Sequence, residues 1–356
     1  MPDDVKTLCR RNGLTYAETA DLSLRRRRCG RGFAYFDSEG RAVRDKAVKS
    51  RIKQLAIPPA WTEVSIAASD RAHIQAVGRD AEGRLQYRYH PKWEKARAEV
   101  KHHRLLRLGS ALPGLRDAIR KALSEPDLTR KKVIAAVVRL IDRALLRPGY
   151  EEYAQARGSR GASTLLKSDV AVEGDRIVID FEGKAGKPIK LEITDRTLAR
   201  VATRLLAQKG RRLFKAPDET GQLRPITARD VNAFLAEETG ADITAKDFRT
   251  FRASAEALAH LTEHNGHTTE RLKKQAIVEA ADKASEILVN TRSVARSSYI
   301  HPSVIKAYES GKLDASHLRG RIRPGLTKVE SALMRFLEAR QSKSRPGTER
   351  PAKRIE

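Results

Sequence analysis

Two kinds of hydrophobic periodicity follow one another along the chain. Up to about residue 90, short apolar and aromatic runs alternate with turn-forming Asp, Ser and Gly residues, which is typical of strands. Residues 1–23 show no clear period and are predicted to be an extended lead-in. One helix is predicted at about 45–55, because Pro58 and Pro59 remove backbone donors beyond it. The predicted strands lie at 33–36, 64–67, 72–78 and 85–90.

From residue 91 onward, apolar residues recur with the period of a helix. In the range 128–147, Val133, Val137 and Ile141 repeat every four residues and predict one buried helix face. Pro148 and Gly149 end that helix, so Arg147 is predicted to lie in its last turn. Three further helices are predicted in the middle of the chain: one at 195–209, capped by Gly210, one from Thr227 to Gly240, with Asp230 in a capping box, and one that starts at Thr244 with Asp247. A helix at 269–288 has Leu272 on its apolar stripe. The last helix is capped by Thr327 with Glu330 and runs to about residue 340.

Residues 169–193 interrupt the helices with a period of two. The pattern predicts three antiparallel strands at 169–172, 176–182 and 188–193, joined by short turns that contain glycine. Lys184 therefore lies at a predicted hairpin tip, where a lysine usually faces solvent.

These patterns predict an α+β protein of two domains. Residues 1–92 form a small β-rich N-terminal domain, and residues 93–326 form a mainly helical domain that carries the three-stranded sheet. A C-terminal helix of the helical domain is predicted at 327–340. The tail, 341–356, is basic, lacks large apolar residues except Ile355, and is predicted to be disordered.

The charge balance predicts a polyanionic partner. The chain has 356 residues, with 71 Lys and Arg against 45 Asp and Glu, a formal net charge of +26. Cations that neutralise phosphates release condensed counterions, which favours nucleic acid. The cysteines, Cys9 and Cys29, have no CxxC or Cys/His spacing suited to zinc. No apolar run reaches ~18 residues and no signal peptide is evident, so a soluble intracellular protein is expected.

Aromatic and polar residues stand side by side in the N-terminal domain. In the strand at 85–90, alternation places Tyr87 and Tyr89 on one face and Gln86 and Arg88 on the other. Gln can hydrogen-bond base edges and Arg can hold phosphates, which suits duplex DNA. Aromatics packed on the sheet are an equally weighted alternative. The arginine run at 25–28 can likewise be a phosphate-contacting ribbon or a solvated strand end.

The stretch 290–302 sets Tyr299 among arginines, serines and a histidine. A Tyr hydroxyl titrates near ~10, so it needs a phosphate held between cations to serve as a nucleophile at neutral pH. Taken alone, a tyrosine between two helices is more often a packing residue.

Seven segments of the chain together form a recognisable family pattern. They are Ile57-Pro58-Pro59-Ala60-Trp61, Gly78-Arg79-Asp80, Gln86-Tyr87-Arg88-Tyr89, Leu146-Arg147-Pro148-Gly149, Glu182-Gly183-Lys184, Lys246-Asp247-Phe248-Arg249-Thr250, and Asn290-Thr291 through Ser298-Tyr299-Ile300-His301-Pro302. In this order they resemble the type IB DNA topoisomerases of the small bacterial and poxvirus kind. The resemblance implies a β-rich N-terminal domain and a catalytic domain like that of tyrosine recombinases, clamped around duplex DNA. It also implies that one strand is nicked through a 3′-phosphotyrosyl intermediate, rotated and religated, relaxing supercoils without ATP, metal or another cofactor.

Carried over residue by residue, Tyr299 resembles the nucleophile, and Arg147 and Arg249 resemble the pair that holds the non-bridging phosphate oxygens. Lys184 resembles the general acid that protonates the departing 5′-oxygen. Asn290 takes a position where many relatives have His, and it can donate a hydrogen bond but cannot become cationic. The positions that resemble DNA contacts are Gln86, Tyr87, Tyr89, Tyr153 and Lys246.

The sequence departs from the family pattern at Pro148, Tyr150 and Arg292, each beside a catalytic position. Tyrosine recombinases share the Arg, Lys, Arg and Tyr set but usually have His where this chain has Lys246. A non-enzymatic DNA-coating protein is a further alternative, and it would give Tyr299 no role. We expect a monomeric, cytoplasmic, nucleoid-associated enzyme whose partner is duplex DNA and which makes no membrane contact.

Overall fold

The computed structural model describes residues 5–266, 269–313 and 315–344, and the chain separates into two compact units, Met1–Lys101 and His102–Glu356. The first unit is built on an antiparallel sheet and the second is mainly helical, so the predicted α+β class is confirmed. Within the described residues, no helix is long and apolar enough to cross a membrane. The predicted disordered tail is wrong for residues 341–344, which belong to the C-terminal helix Lys328–Ser344, and from 345 onward it lies outside the described residues.

The N-terminal unit contains one five-stranded sheet. Its elements are α1 (Val5–Arg11), a 3₁₀ turn (Thr19–Asp21), β1 (Leu24–Cys29), β2 (Gly32–Phe36), α2 (Lys46–Gln54), β3 (Thr62–Ile66), β4 (Ile74–Arg79) and β5 (Leu85–Tyr89). All neighbouring strands are antiparallel, in the order β2-β1-β3-β4-β5. The predicted strands and helix are confirmed, and the arginine run lies in β1. The extended lead-in is wrong, because α1 forms and its Cys9 packs with Leu14 and Trp93.

Close packing of β3 and β4 depends on one glycine. Leu24 and Val64 form a buried cluster with Ile52 of α2. A Cβ on Gly78 would lie 2.9 Å from Val64 Cγ2 and 3.0 Å from the Trp61 ring. Only glycine therefore fits this position without moving the two strands apart.

The second unit begins within a long helix, α3 (Pro91–Ser124), in which the division between the units falls. The elements that follow are α4 (Arg130–Ala144), α5 (Glu151–Arg157), β6 (Val170–Glu173), β7 (Arg176–Glu182), β8 (Pro188–Thr194), α6 (Arg196–Leu206), β9 (Lys215–Pro217), β10 (Leu223–Pro225), α7 (Ala228–Thr239), α8 (Ala245–Glu263), α9 (Glu270–Leu288), α10 (Arg292–Val294), α11 (Pro302–Glu309), α12 (Ser316–Arg319) and α13 (Lys328–Ser344). Tighter turns lie at Ala162–Thr164, Lys167–Asp169 and Lys184–Gly186, and a π-helical turn lies at Ala295–Tyr299.

The predicted three-stranded sheet is confirmed. Strands β6, β7 and β8 pair in chain order and antiparallel, and β7 pairs with β8 from Arg176–Thr194 to Glu182–Pro188. The 3₁₀ turn that follows β7 carries Lys184, which is exposed. A separate two-stranded pair is formed by β9 and β10.

Helix α8 is deeply buried in the second unit. Helices α4, α9, α11 and α13 pack against it. Its small residues, among them Ala253, Ser254 and Ala257, allow these neighbours to approach closely. At Gly109 of α3, a Cβ would lie 2.1 Å from Met334 Sδ and 2.9 Å from the Phe251 ring. The backbone of α3 therefore rests directly on side chains of α13 and α8.

Local capping signals are accurate where the cap is made by neighbours in sequence. Thr227 and Asp230 form the predicted capping box of α7, and Gly240 ends that helix with φ 60°. Helix α6, however, ends at Ala207 rather than at Gly210. Leu272 of α9 is exposed and does not belong to its buried stripe.

The predicted position of Arg147 in the last turn of α4 is wrong. The helix ends at Ala144, and Leu145 takes a left-handed conformation with φ 53°. Beyond it, the carbonyl oxygens of Arg147 and Pro148 accept hydrogen bonds from Ala162 N at 2.8 Å and Ser163 N at 2.7 Å. Pro148 has no N–H to continue the helical pattern, and the segment beyond Leu145 is instead held by these long-range hydrogen bonds.

Candidate active site

Arg249 is the side chain around which the site is built. It lies near the start of α8, and only 2% of its surface is exposed. Its guanidinium donates to the carbonyl oxygen of Leu145, beyond the end of α4, and to that of Leu288, at the end of α9, the latter at 3.0 Å. Carbonyl groups at a helix C-terminus have no partner within the helix. Arg249 satisfies two of them and is thereby fixed in place.

Tyr299 ends the π-helical turn and is 8% exposed. The Arg249 guanidinium carbon lies 4.9 Å from the centre of the Tyr299 ring. Further along α8, Ser254 Oγ donates to the Tyr299 carbonyl oxygen at 3.1 Å and accepts from His301 N at 2.9 Å. The Ser254 hydroxyl thus holds the backbone on both sides of Ile300, and with it the position of the tyrosine.

Cations around the Tyr299 hydroxyl change its acidity. Burial alone would raise the pKa of this phenol, because the charged form loses solvation. The charge and hydrogen bond of Arg249, with the charges of Arg147 and Lys246, outweigh burial and hold the pKa below its ordinary value. The same burial lowers the pKa of Arg249, since a guanidinium also loses solvation there. The site therefore favours a phenolate more than water does.

Arg147 and Asn290 approach from elements far apart in sequence. Arg147 Nη2 donates to Asn290 Oδ1 at 2.6 Å. Asn290 follows α9 and is fixed by its own backbone N–H, which donates to Ser285 O at 2.9 Å. Because the amide oxygen faces Arg147, the amide nitrogen of Asn290 is directed elsewhere as a donor.

Two donors of this region meet no acceptor in the part of the chain that the structure describes. Arg249 Nε and Asn290 Nδ2 are buried and have no hydrogen-bond partner among the described residues. Arg147 and Arg249 form no ion pair with a carboxylate in the same described ranges. An unsatisfied buried donor costs about 1–3 kcal/mol, so the arrangement suits a ligand that supplies several acceptor oxygens, such as a phosphodiester.

A third arginine, Arg160, lines a small cleft together with Arg147 and Arg249. Phe181 and Leu288 also line this cleft. Arg160 differs from the other two because its Nε lies 2.9 Å from an Asp169 carboxylate oxygen. Neither Arg160 nor Ser254 was identified from the sequence, since their roles depend on contacts with distant residues and no local motif marks them.

The two predicted lysines lie differently. Lys246 is exposed in the first turn of α8, one turn before Arg249, and its charge acts on Tyr299. Asp247 beside it is committed elsewhere, to the Thr244 cap and to Arg104 at 2.9 Å. Lys184 lies on its exposed turn and has no hydrogen bond or ion pair to the cluster among the described contacts. The structure thus brings together Tyr299, Arg147, Arg249 and Asn290, with Lys246 near them, and leaves Lys184 apart.

The aromatic pair of the N-terminal unit faces the sheet core as well as solvent. Tyr87 and Tyr89 lie on one face, as predicted, with ring centres 5.7 Å apart and planes at 12°. Both pack against the buried cluster that includes Val77. Gln86 on the other face donates to an Asp80 carboxylate oxygen at 2.8 Å. Packing therefore accounts for part of the pattern that also suits DNA.

Tyr153 on α5 lies at the surface of the second unit. It is 56% exposed, and its ring meets that of Tyr150 edge-on, with centres 6.4 Å apart. An exposed aromatic pair a few residues beyond Arg147 can stack or contact a sugar-phosphate chain without first unpacking from the core.

Comparison with known proteins covers both units. Residues 90–319 match the family described as eukaryotic DNA topoisomerase I, catalytic core. Residues 32–80 match the family described as bacterial DNA topoisomerase IB, N-terminal domain. Over 285 residues the chain is 31% identical to a DNA topoisomerase 1B of Acanthamoeba polyphaga mimivirus, an alignment that covers 78% of this chain and 84% of that relative. The first range contains Arg147, Lys184, Arg249, Asn290 and Tyr299.

Proposed function

The chain belongs to the type IB DNA topoisomerases, and from that membership we propose that it relaxes supercoiled duplex DNA through a transient 3′-phosphotyrosyl intermediate, without ATP or a metal ion. The observation that carries the proposal is the buried Tyr299, which lies against Arg249 beside two buried donors, Arg249 Nε and Asn290 Nδ2, that meet no acceptor in the described part of the chain. Phosphoryl transfer needs positioning and charge stabilisation more than further covalent chemistry.

In the proposed cleavage step, Tyr299 Oη attacks the scissile phosphorus. The new bond joins phosphorus to the tyrosine oxygen, and the bond from phosphorus to the 5′-oxygen breaks. The lowered pKa of the Tyr299 hydroxyl makes loss of its proton easier at neutral pH. The number of phosphate ester bonds does not change, so religation by the free 5′-hydroxyl is a reversal of the same step.

Arg147, Arg249 and Asn290 are proposed to hold the non-bridging oxygens. Negative charge spreads over these oxygens in the transition state, and guanidinium groups stay charged at every relevant pH. Arg249 is already fixed by two carbonyl oxygens and still offers its Nε–H. Arg147 orients Asn290 so that its amide N–H is available to the phosphate. Asn290 thereby supplies a neutral donor.

Lys184 is proposed to protonate the departing 5′-oxygen. Its exposed turn at the end of β7 leaves the long side chain free to extend toward a bound phosphate. Lys246 adds positive charge beside Tyr299. We propose that Gln86, Tyr87, Tyr89 and Tyr153 contact the duplex, and that the enzyme acts as a cytoplasmic, nucleoid-associated monomer.

The test is relaxation of a negatively supercoiled plasmid in EDTA without ATP. Wild type is expected to relax it, and Tyr299→Phe is expected to bind the plasmid but leave it supercoiled. Tyr308→Phe is a matched control, because Tyr308 is another buried tyrosine, in α11, whose hydroxyl donates to His264 O at 3.1 Å.

A denaturant trap identifies the intermediate. Wild type quenched with detergent during the reaction should retain the DNA strand covalently by its 3′ end, and Tyr299→Phe should retain none. Relaxation by Tyr299→Phe at the wild-type rate, or absence of relaxation by a wild type that binds DNA tightly, would show that the proposal is wrong.

A further inference from the structure

A second group of ionisable side chains lies at the other end of α8. His260 and His264 are one turn apart at the C-terminus of this helix, and Glu279 faces them from α9. One potential ligand atom from each lies within 4.8 Å of the other two. The histidine rings are 4.2 Å apart between centres, with planes at 36°.

His260 is a buried imidazole without a good hydrogen bond. Only 5% of it is exposed, and neither ring nitrogen has a hydrogen-bond partner among the described residues. The nearest charged atom is a Glu279 carboxylate oxygen, 3.4 Å from Nε2. Buried polar groups are normally satisfied, so this ring calls for a ligand that accepts a nitrogen lone pair.

The tautomer of His264 is set by the backbone. Its Nδ1 lies 2.8 Å from the His260 carbonyl oxygen, which can only accept, so Nδ1 carries the proton. The lone pair is therefore on Nε2. A histidine whose second nitrogen donates to a backbone carbonyl is the arrangement found in metal-binding sites, because the hydrogen bond fixes the ring and raises its basicity.

We propose that His260, His264 and Glu279 bind one Zn²⁺ ion, which joins α8 to α9. Two imidazoles and one carboxylate form a donor set that zinc takes up in proteins, whereas Mg²⁺ and Ca²⁺ prefer oxygen ligands throughout. The Glu279 side chain is partly exposed, so one side of the ion is open to water, which completes the coordination.

The ion has a structural role, separate from strand cleavage. His260 lies about 16 Å along α8 from Arg249 at 1.5 Å per residue. Helix α8 positions Arg249 and Ser254, and α9 leads into Asn290, so an ion that ties the two helices stabilises the frame of the site. It takes no part in moving the phosphate.

The experiment measures zinc binding directly. Full-length protein is stripped with a chelator, desalted, and titrated with Zn²⁺ against a chromophoric competitor, with thermal melting in parallel. Wild type is expected to bind one ion per chain and to melt at a higher temperature with Zn²⁺ than with Mg²⁺. His264→Ala and Glu279→Gln are expected to bind more than about tenfold more weakly, the minimum typical of losing even an outer partner.

Two further variants test how a nearby charge affects zinc affinity and whether the effect is specific to this group. Lys283 places a positive charge near the group, so Lys283→Gln is expected to bind Zn²⁺ more tightly than wild type. His103 lies on α3 and is not one of the three side chains of the group, so His103→Ala is a control that should keep wild-type affinity. His264 and Glu279 are used because both are less buried than His260, and their replacement is less disruptive.

Equal zinc affinity in wild type, His264→Ala and Glu279→Gln would overturn the proposal, as would an equal loss in His103→Ala. Binding is read without DNA, so the result does not depend on whether the plasmid is relaxed.

Discussion

Replacing Ser254 with alanine tests how Tyr299 is positioned. Ser254 is fully buried and far too enclosed to contact DNA. Its hydroxyl makes two bonds, to the Tyr299 carbonyl oxygen at 3.1 Å and from His301 N at 2.9 Å. Ser254→Ala removes both hydrogen bonds and leaves the Tyr299 carbonyl and the His301 N–H without this partner.

The expected effect on stability follows from those two groups. A buried polar group left unsatisfied costs about 1–3 kcal/mol, so the free energy of unfolding should fall by about that amount or somewhat more. The effect on rate is of a different kind. The π-helical turn loses its tie to α8, and a displacement of about 1 Å at a reacting group can cost on the order of 10²-fold. We expect single-turnover cleavage to slow by about 10–100-fold.

The assay is cleavage of an oligonucleotide duplex whose downstream strand dissociates after nicking, followed as covalent protein–DNA complex against time. Unfolding is measured in urea on the same samples, and duplex binding by Tyr299→Phe with and without Ser254→Ala. Thr262→Ala is the matched control. It also removes a buried hydroxyl from α8, but one that donates to Leu258 O of its own helix at 2.7 Å.

The two variants should differ in their effect on cleavage. Both variants should lose stability, but only Ser254→Ala should lose cleavage rate while duplex binding is unchanged. Wild-type cleavage by a stable, folded Ser254→Ala, or an equal loss of rate in Thr262→Ala, would refute a positioning role for this hydroxyl.

Two other predictions concern charge. Cations hold the Tyr299 pKa below its ordinary value, so the rate of single-turnover cleavage should rise with pH and level off below ~10. In Arg147→Gln the rate should level off at a higher pH, because a cation that favours the phenolate is gone. A pH profile that does not move would count against this coupling. Arg116 pairs with Glu330 and with Asp142, each at 2.9 Å, and all three side chains are mostly buried. Arg116→Met should therefore lower the free energy of unfolding in urea by about 3–5 kcal/mol. A decrease no larger than that of an exposed ion pair would contradict this prediction. Burial raises the pKa of Glu330, but the hydrogen bond and charge of Arg116 outweigh burial and lower that pKa. The stability contributed by this ion pair should therefore be complete above the ordinary glutamate pKa, and it should be lost as the pH falls through the lowered pKa.

Much of the secondary structure could be predicted because its signals are local. The Thr227 and Asp230 box, the strands at 176–182 and 188–193, and the turn that carries Lys184 each depend on residues close together in sequence. The errors have the opposite origin. Helix α4 ends at Ala144, and the segment with Arg147 and Pro148 is held instead by hydrogen bonds from Ala162 and Ser163, which no local pattern reveals.

The sequence by itself determined the chemistry that is present: the basic excess, Tyr299 in its short segment, and the arginines and lysines in segments that resemble one family. Tertiary structure decided which of these groups meet. Arg147 reaches Asn290 and Arg249 reaches Leu288, and His260 meets Glu279, across stretches of chain that periodicity does not connect. Burial in that packing, rather than residue type, then removes water from Tyr299 and Arg249. It also leaves Arg249 Nε and Asn290 Nδ2 without partners among the described residues, because solvation and hydrogen bonding depend on the whole fold.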